Sequence, residues 1–227
     1  MSRVENVCAV RKIIGNAAVK AGHSADDIRI IAVSKTFEIP AIQEVFAAGI
    51  GDFAENRAQE LVRKSRLFDK QCVWHFIGRL QTNKVKDVLR VATMIHSLDR
   101  LPLALEIERR CELDDTSCEA LIEVNVSGEQ TKAGIEAEEL PRLLSDIAGF
   151  SRIQVKGLMT IAPYTDTPED VRYVFSALRE LRDSLQGQYP DLRELSMGMS
   201  GDYHIAVEEG ATMVRLGSVL FGDRAAL

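Results

Sequence analysis

Apolar, strand-like runs alternate with helix-periodic stretches along the whole chain, and this alternation limits the fold more than any single motif does. Eight runs read as strands: residues 28–34, 50–54, 73–77, 94–97, 120–126, 154–159, 195–200 and 213–216. The clearest helical pattern spans 171–185, where Val171, Val174, Phe175, Leu178, Leu181 and Leu185 keep the 3.6-residue period. Thr167-Pro168-Glu169-Asp170 predicts its start, with a hydroxyl cap, a proline in the first turn and acids at the positive end of the dipole. Gly187 and Pro190 mark its finish, and Gly49 and Gly210 are expected to close helices over 41–48 and 205–209. An amphipathic segment carrying Val4, Val7, Ile14 and Ala17 precedes the first strand.

Repeated strand–helix units return the chain to the same sheet edge, so the strands are expected to be parallel. Eight such units predict an α/β fold: a single (β/α)8 TIM barrel with an additional N-terminal helix, forming one domain over residues 1–227. An open, doubly wound sheet is the alternative reading. With 46% hydrophobic and 27% charged residues, the chain can bury a sizeable core without staples.

A net charge of −6 and the lack of a Lys/Arg block argue against nucleic acid and anionic membranes as partners. Cys8, Cys72, Cys111 and Cys118 form no CxxC and no zinc spacing with histidine; Cys8 and Cys72 lie among apolar neighbours and are expected to be buried free thiols. The N-terminus lacks a signal-peptide h-region and no apolar stretch is long enough to span a bilayer, so a cytoplasmic protein is expected. HExxH, Walker A, GxSxG and EF-hand patterns are absent, and His23, His75, His96 and His204 show no ligand spacing. Metal chemistry is not expected.

In a parallel barrel, ligands bind where the carboxyl ends of the strands meet the loops. Read in order, those ends carry Lys35, then Glu55-Asn56, then His75 and Gly78, then Ser97, Asn125, Met159-Thr160, Ser200-Gly201 and residues 215–218. Lys35 follows a buried-type strand and supplies a primary amine, which acts as a nucleophile in its free form. Ser200-Gly201 and Gly217-Ser218 can form a backbone-amide phosphate cradle of the kind barrels build after their last two strands. Arg215 lies inside an apolar strand, where an unpaired guanidinium is costly, so it needs an acceptor: phosphate, a carboxylate or a pyridine nitrogen. His75 reads either as a satisfied core histidine or as lining for a cofactor ring. Asn56 reads either as an Asx-type helix cap or as a cofactor ligand. Asn83, Lys84 and Lys132 read as loop or helix-start residues. An amine facing a phosphate cradle points to an aldehyde-bearing phosphate ester held as a Schiff base, with pyridoxal 5'-phosphate (PLP) the leading candidate. A cofactor-free Schiff-base aldolase would use the same parts.

Six segments also resemble the pyridoxal phosphate homeostasis family: AVSKT (32–36), ENRAQEL (55–61), WHFIGRLQTNK (74–84), GLMTI (157–161), LSMGMS (195–200) and EEGATMVRLGSVLFG (208–222). That family is similar to the barrel domain of fold-type III alanine racemases. The resemblance implies an internal aldimine on Lys35, Ser200, Gly217 and Ser218 around the phosphate, Arg215 close to the cofactor, and Asn56 and His75 lining the site. It implies a PLP binder affecting vitamin B6 and amino-acid balance without established turnover, with PLP-dependent apoenzymes as conceivable recipients and a monomeric or homodimeric state. The chain departs from the family pattern at Gly201 and His204, where acids are common, and at Arg57, where an aromatic is frequent. A small PLP-dependent racemase or lyase is the rival. Racemisation needs acid–base groups on both faces of the carbanion, and in the resembling racemases the second group comes from a β-rich domain. The sequence ends six residues after Phe221, which favours a holder of the cofactor over a racemase.

Overall fold

A computed structural model of the chain describes residues 2–68, 70–129 and 133–222. Lys132 lies outside these residues. The helices are α1 (Arg3–Ala21), α2 (Ile39–Ala47), α3 (Ala58–Leu67), α4 (Val85–Leu89), α5 (Leu101–Leu113), α6 (Leu140–Ile147), α7 (Arg172–Leu185), α8 (Tyr203–Glu208) and α9 (Ser218–Phe221). The strands are β1 (Arg29–Val33), β2 (Asp52–Glu55), β3 (Val73–Phe76), β4 (Met94–Leu98), β5 (Cys118–Asn125), β6 (Ile135–Glu136), β7 (Ile153–Met159), β8 (Glu194–Ser196) and β9 (Met213–Leu216).

All pairings are parallel. Following them round gives β1-β2-β3-β4-β5-β7-β8-β9, and β9 pairs back onto β1 through Ile31↔Arg215. This closure is the expected eight-stranded barrel and excludes the open sheet. The two-residue β6, too short to show a period, was not anticipated; it extends β5 beyond the barrel wall through Val124↔Ile135.

Side chains alternate across each strand, so every second residue enters the barrel. Ile31, Val33, Ala54, Met94, Leu121, Met159 and Met213 fill the interior, with Ile77 against them. Their neighbours Ala32, Phe53, Trp74, Ile95 and Ile122 point outward into the larger core beneath the helices. The larger of these side chains, where fully buried, contribute about 1.5–3 kcal/mol each.

The leading helix α1 starts with a reciprocal Ser2–Glu5 capping box and ends at Gly22 with φ of 72°. Val7, Val10, Ile14, Ala17 and Ala18 form its buried stripe. Cys8 is exposed, contrary to expectation, because one step along a helix turns the side chain roughly 100° from Val7. Cys72 is half-buried, and burial pushes its thiol up to about 11. Cys111 and Cys118 are the buried thiols, both raised by the same cause.

The start of α7 also differs. Residues Pro168–Val171 form a 3-10 turn and the helix proper begins at Arg172. The Thr167 hydroxyl caps nothing; its backbone N–H instead donates to Thr165 Oγ1 at 3.0 Å. Gly210 closes α8 as expected, with φ of 91° and a bond from Ala211 N to Ala206 O. Among the described residues no helix is long and apolar enough to cross a membrane.

Candidate functional site

β1 delivers Lys35 into a tight turn. Phe37 N donates to Ser34 O at 3.0 Å, which makes Lys35 and Thr36 the two central residues of a β-turn. Thr36 has φ of 71°, a left-handed conformation that suits glycine and costs a β-branched residue about 1–3 kcal/mol. Lys35 itself is half-buried and makes no hydrogen bond or ion pair among the described residues. Phe37 stacks on Phe221 of α9 with ring centroids 4.8 Å apart, tying the lysine turn to the element that follows β9.

The other half of the site comes from the exits of β8 and β9. After Ser196 the chain turns back at Gly198, where φ is 90° and an added Cβ would lie 2.6 Å from Ala206 Cβ. That turn brings Ser200 against the β9 exit, where its Oγ accepts from Gly217 N at 3.2 Å and Val219 N at 3.5 Å. Two backbone donors thus converge on one oxygen. A Cβ on Gly201 would meet nothing within 4 Å, and one on Gly217 only Val33 O at 3.7 Å. The cradle is open, and the end of β1 forms its wall. This donor set and free space suit a phosphate group. Ser218 is exposed at the start of α9.

Asn56 follows β2 and is exposed. It does not cap α3, whose N-cap is Arg57 with no side-chain bond. Gly78, leaving β3, passes so close that an added Cβ would lie 2.1 Å from Asn56 O.

Arg215 points into the barrel beneath the cradle. Its Nη1 donates to Ser196 Oγ at 2.7 Å and its Nη2 to Thr160 O at 2.8 Å. Burial lowers its pKa to about 10, against the pull of Glu123 and Asp202. From Ser196 the contacts continue to His96 Nδ1 at 2.9 Å, from His96 Nε2 to His75 Nδ1 at 3.0 Å, and from His75 Nε2 to Asp52 Oδ1 at 3.0 Å. A guanidinium only donates and a carboxylate only accepts. With one proton on each ring, a single arrangement satisfies every contact: Arg215 to Ser196, Ser196 to His96, His96 to His75, His75 to Asp52. Burial first, then His75 and Arg215, hold His96 well below the usual imidazole range, in keeping with its neutral state. His75 has both nitrogens engaged, so it reaches the rim only through His96 and Ser196.

Glu123 enters the barrel from β5, four strands from β1 in either direction. It is buried, its carboxyl makes no hydrogen bond among the described residues, and that carboxyl is pushed up to about 7. Burial is the main cause; Asp99 adds to it and Arg215 and Arg79 offset it.

Lys35, Ser200, Gly201, Gly217 and Ser218 therefore meet at neighbouring strand exits, with Arg215 below and Asn56 one strand away. Sequence reasoning missed Asp52, His96, Ser196 and Glu123. Strict period-two counting would have put Ser196 and His96 inside, and Glu123 carried the same signal as Arg215: a lone charge in an apolar strand.

Comparison with known proteins gives consistent matches. Residues 10–225 match the family model described as "Alanine racemase, N-terminal domain". A pyridoxal phosphate homeostasis protein from Aquifex aeolicus (strain VF5) is 46% identical over 226 residues, covering 99% of each chain. One from Escherichia coli (strain K12) is 38% identical, covering 96% of this chain and 95% of its own. PipY of Synechococcus elongatus PCC7942, solved with PLP bound, superposes with a TM-score of 0.85 at 32% identity, over 97% of this chain and all (100%) of its own. An alanine racemase from Clostridium difficile 630 shares the fold, with a TM-score of 0.73 at 15% identity; 95% of this chain aligns with 56% of the racemase.

Proposed function

The chain belongs to the family of pyridoxal phosphate homeostasis proteins, and from that premise we propose that it holds PLP as a Schiff base on Lys35 and serves intracellular vitamin B6 balance. The observation that carries this reading is the adjacency of the lysine turn and the amide cradle. β1 and β9 are paired neighbours, Phe37 stacks on Phe221, and Val33 O lines the open space at Gly217.

Bound PLP supplies an aldehyde that condenses with primary amines. Lys35 Nζ would be the amine that holds it. Gly217 N, Val219 N and the Ser200 hydroxyl would hold the phosphate, with Gly201 and Ser218 beside them. Arg215 would face the ring, and a guanidinium against the pyridine nitrogen would leave that nitrogen unprotonated and weaken the ring as an electron sink. Asn56 lines the β2 side, and His75 acts through His96 and Ser196 to orient Arg215. A weak electron sink suits holding or handing over the cofactor, with PLP-dependent apoenzymes in the cytoplasm as recipients, better than turnover.

Purified protein tests the reading. Added PLP produces an absorption band of the lysine-linked form, and Lys35→Ala abolishes it. Exchange of an amino acid's Cα hydrogen for deuterium in heavy water, catalysed by the wild type, would overturn the non-catalytic assignment.

A further inference from the structure

Lys64 is wholly buried on the inner face of α3, and its ammonium meets three acceptors. They are Glu55 Oε1 at 2.6 Å, the Ser34 carbonyl oxygen at 2.8 Å and Glu60 Oε2 at 3.1 Å. The first two are hydrogen bonds and the third is an ion pair. Ser34 Oγ donates to the same Glu55 oxygen at 2.7 Å, whereas Glu55 Oε2 is buried without a partner. The carboxylate thus spends its hydrogen bonding on the two groups that flank the end of β1.

The Ser34 carbonyl oxygen that Lys64 grips is also the acceptor that closes the Ser34–Phe37 turn. A cation from α3 therefore holds the peptide leading into Lys35, one residue before the strained φ of Thr36. Such strain persists where the surroundings over-determine the backbone. Buried ion pairs are poor sources of net stability, because desolvation offsets their attraction. A wholly buried pair at this one turn calls for another reason.

Building on the PLP reading, we propose that Lys64 is a positioning residue for Lys35. Through Glu55 and the Ser34 peptide it fixes the direction in which the Lys35 amine leaves β1, so that the amine meets an aldehyde anchored by its phosphate at the next strand exit. Neither Lys64 nor Glu55 touches the ligand.

The test uses Glu55→Gln combined with Lys64→Met, which removes both charges together and leaves no lone buried ion. PLP is trapped on Lys35 with borohydride at timed intervals, and binding of pyridoxine 5'-phosphate, which has the ring and phosphate but no aldehyde, is measured alongside. The double variant should trap PLP about 10-fold to 100-fold more slowly, the scale of a small misplacement of a reacting group. Its affinity for pyridoxine 5'-phosphate should stay at the wild-type value. Equal trapping rates would overturn the inference, as would loss of pyridoxine 5'-phosphate affinity by the same factor, which marks a structural effect only. If the double variant does not fold, Ser34→Ala removes one clamp bond and should slow trapping about 3-fold to 10-fold; an unchanged rate would overturn the inference. Wild-type protein that traps no PLP at Lys35 would instead overturn the functional reading itself.

Discussion

Arg215 Nη1 donates to Ser196 Oγ at 2.7 Å across the seam between β9 and β8, and the same hydroxyl lies 2.9 Å from His96 Nδ1. One hydroxyl therefore joins the buried cation to a histidine pair that ends at Asp52. Ser196→Ala leaves a guanidinium N–H and an imidazole nitrogen without partners in the barrel. It should destabilise the protein by about 1–3 kcal/mol, read as a lower urea midpoint with an unchanged slope.

The direction of the chain predicts proton positions. Nitrogen-15 NMR of the imidazoles should find His75 and His96 both protonated at Nε2, not Nδ1. His96 has a depressed pKa, so its contribution to stability is present above its unfolded value and is lost as the pH falls below about 6.5. Retention of the neutral His96 signal at pH 5.5 checks this; an imidazolium signal there would contradict it.

Glu123 predicts a slope of the opposite sign. Its folded pKa of about 7 lies above the ordinary 4.5, so the folded chain retains a proton that the unfolded chain releases. Its burial is tolerated while protonated and becomes costly as the pH rises between those values. Glu123→Gln, which mimics the protonated form, should match the wild type near pH 4.5. It should exceed the wild type at pH 8 by on the order of 3 kcal/mol in chemical denaturation.

Ser200→Ala removes the hydroxyl on which Gly217 N and Val219 N converge. PLP and pyridoxine 5'-phosphate should both bind about tenfold more weakly, the loss of one hydrogen bond. Equilibrium dialysis with each ligand checks it, and a loss confined to PLP would show that Ser200 acts on the aldehyde end.

Much of the site could be read from the sequence because it lies at strand ends. Lys35, Gly217 and Ser218 stand directly after apolar runs, and strand–helix alternation alone puts them on one rim. What stayed hidden depends on register and on the turn between strand and loop. Ser196 is one of two serines in LSMGMS, and the pairings Met159↔Ser196 and Ser196↔Met213 show which of them enters the barrel. Lys64 lies in VRKSR, where the 3.6-residue period shows which face it takes but not that Glu55 waits beneath it. Cys8 shows the converse error, where apolar sequence neighbours belong to a different helix face. Asn56 could not be read as a cap or a non-cap until α3 was seen to begin at Ala58.

One amine stands beside one anion cradle, at the exits of β1, β8 and β9. Mass spectrometry of the protein reduced with borohydride in the presence of PLP locates the modified side chain directly. A single pyridoxyl adduct on the peptide containing Lys35, absent in Lys35→Ala, is the predicted result. An adduct on another lysine with Lys35 unmodified, or no adduct at saturating PLP, would contradict it.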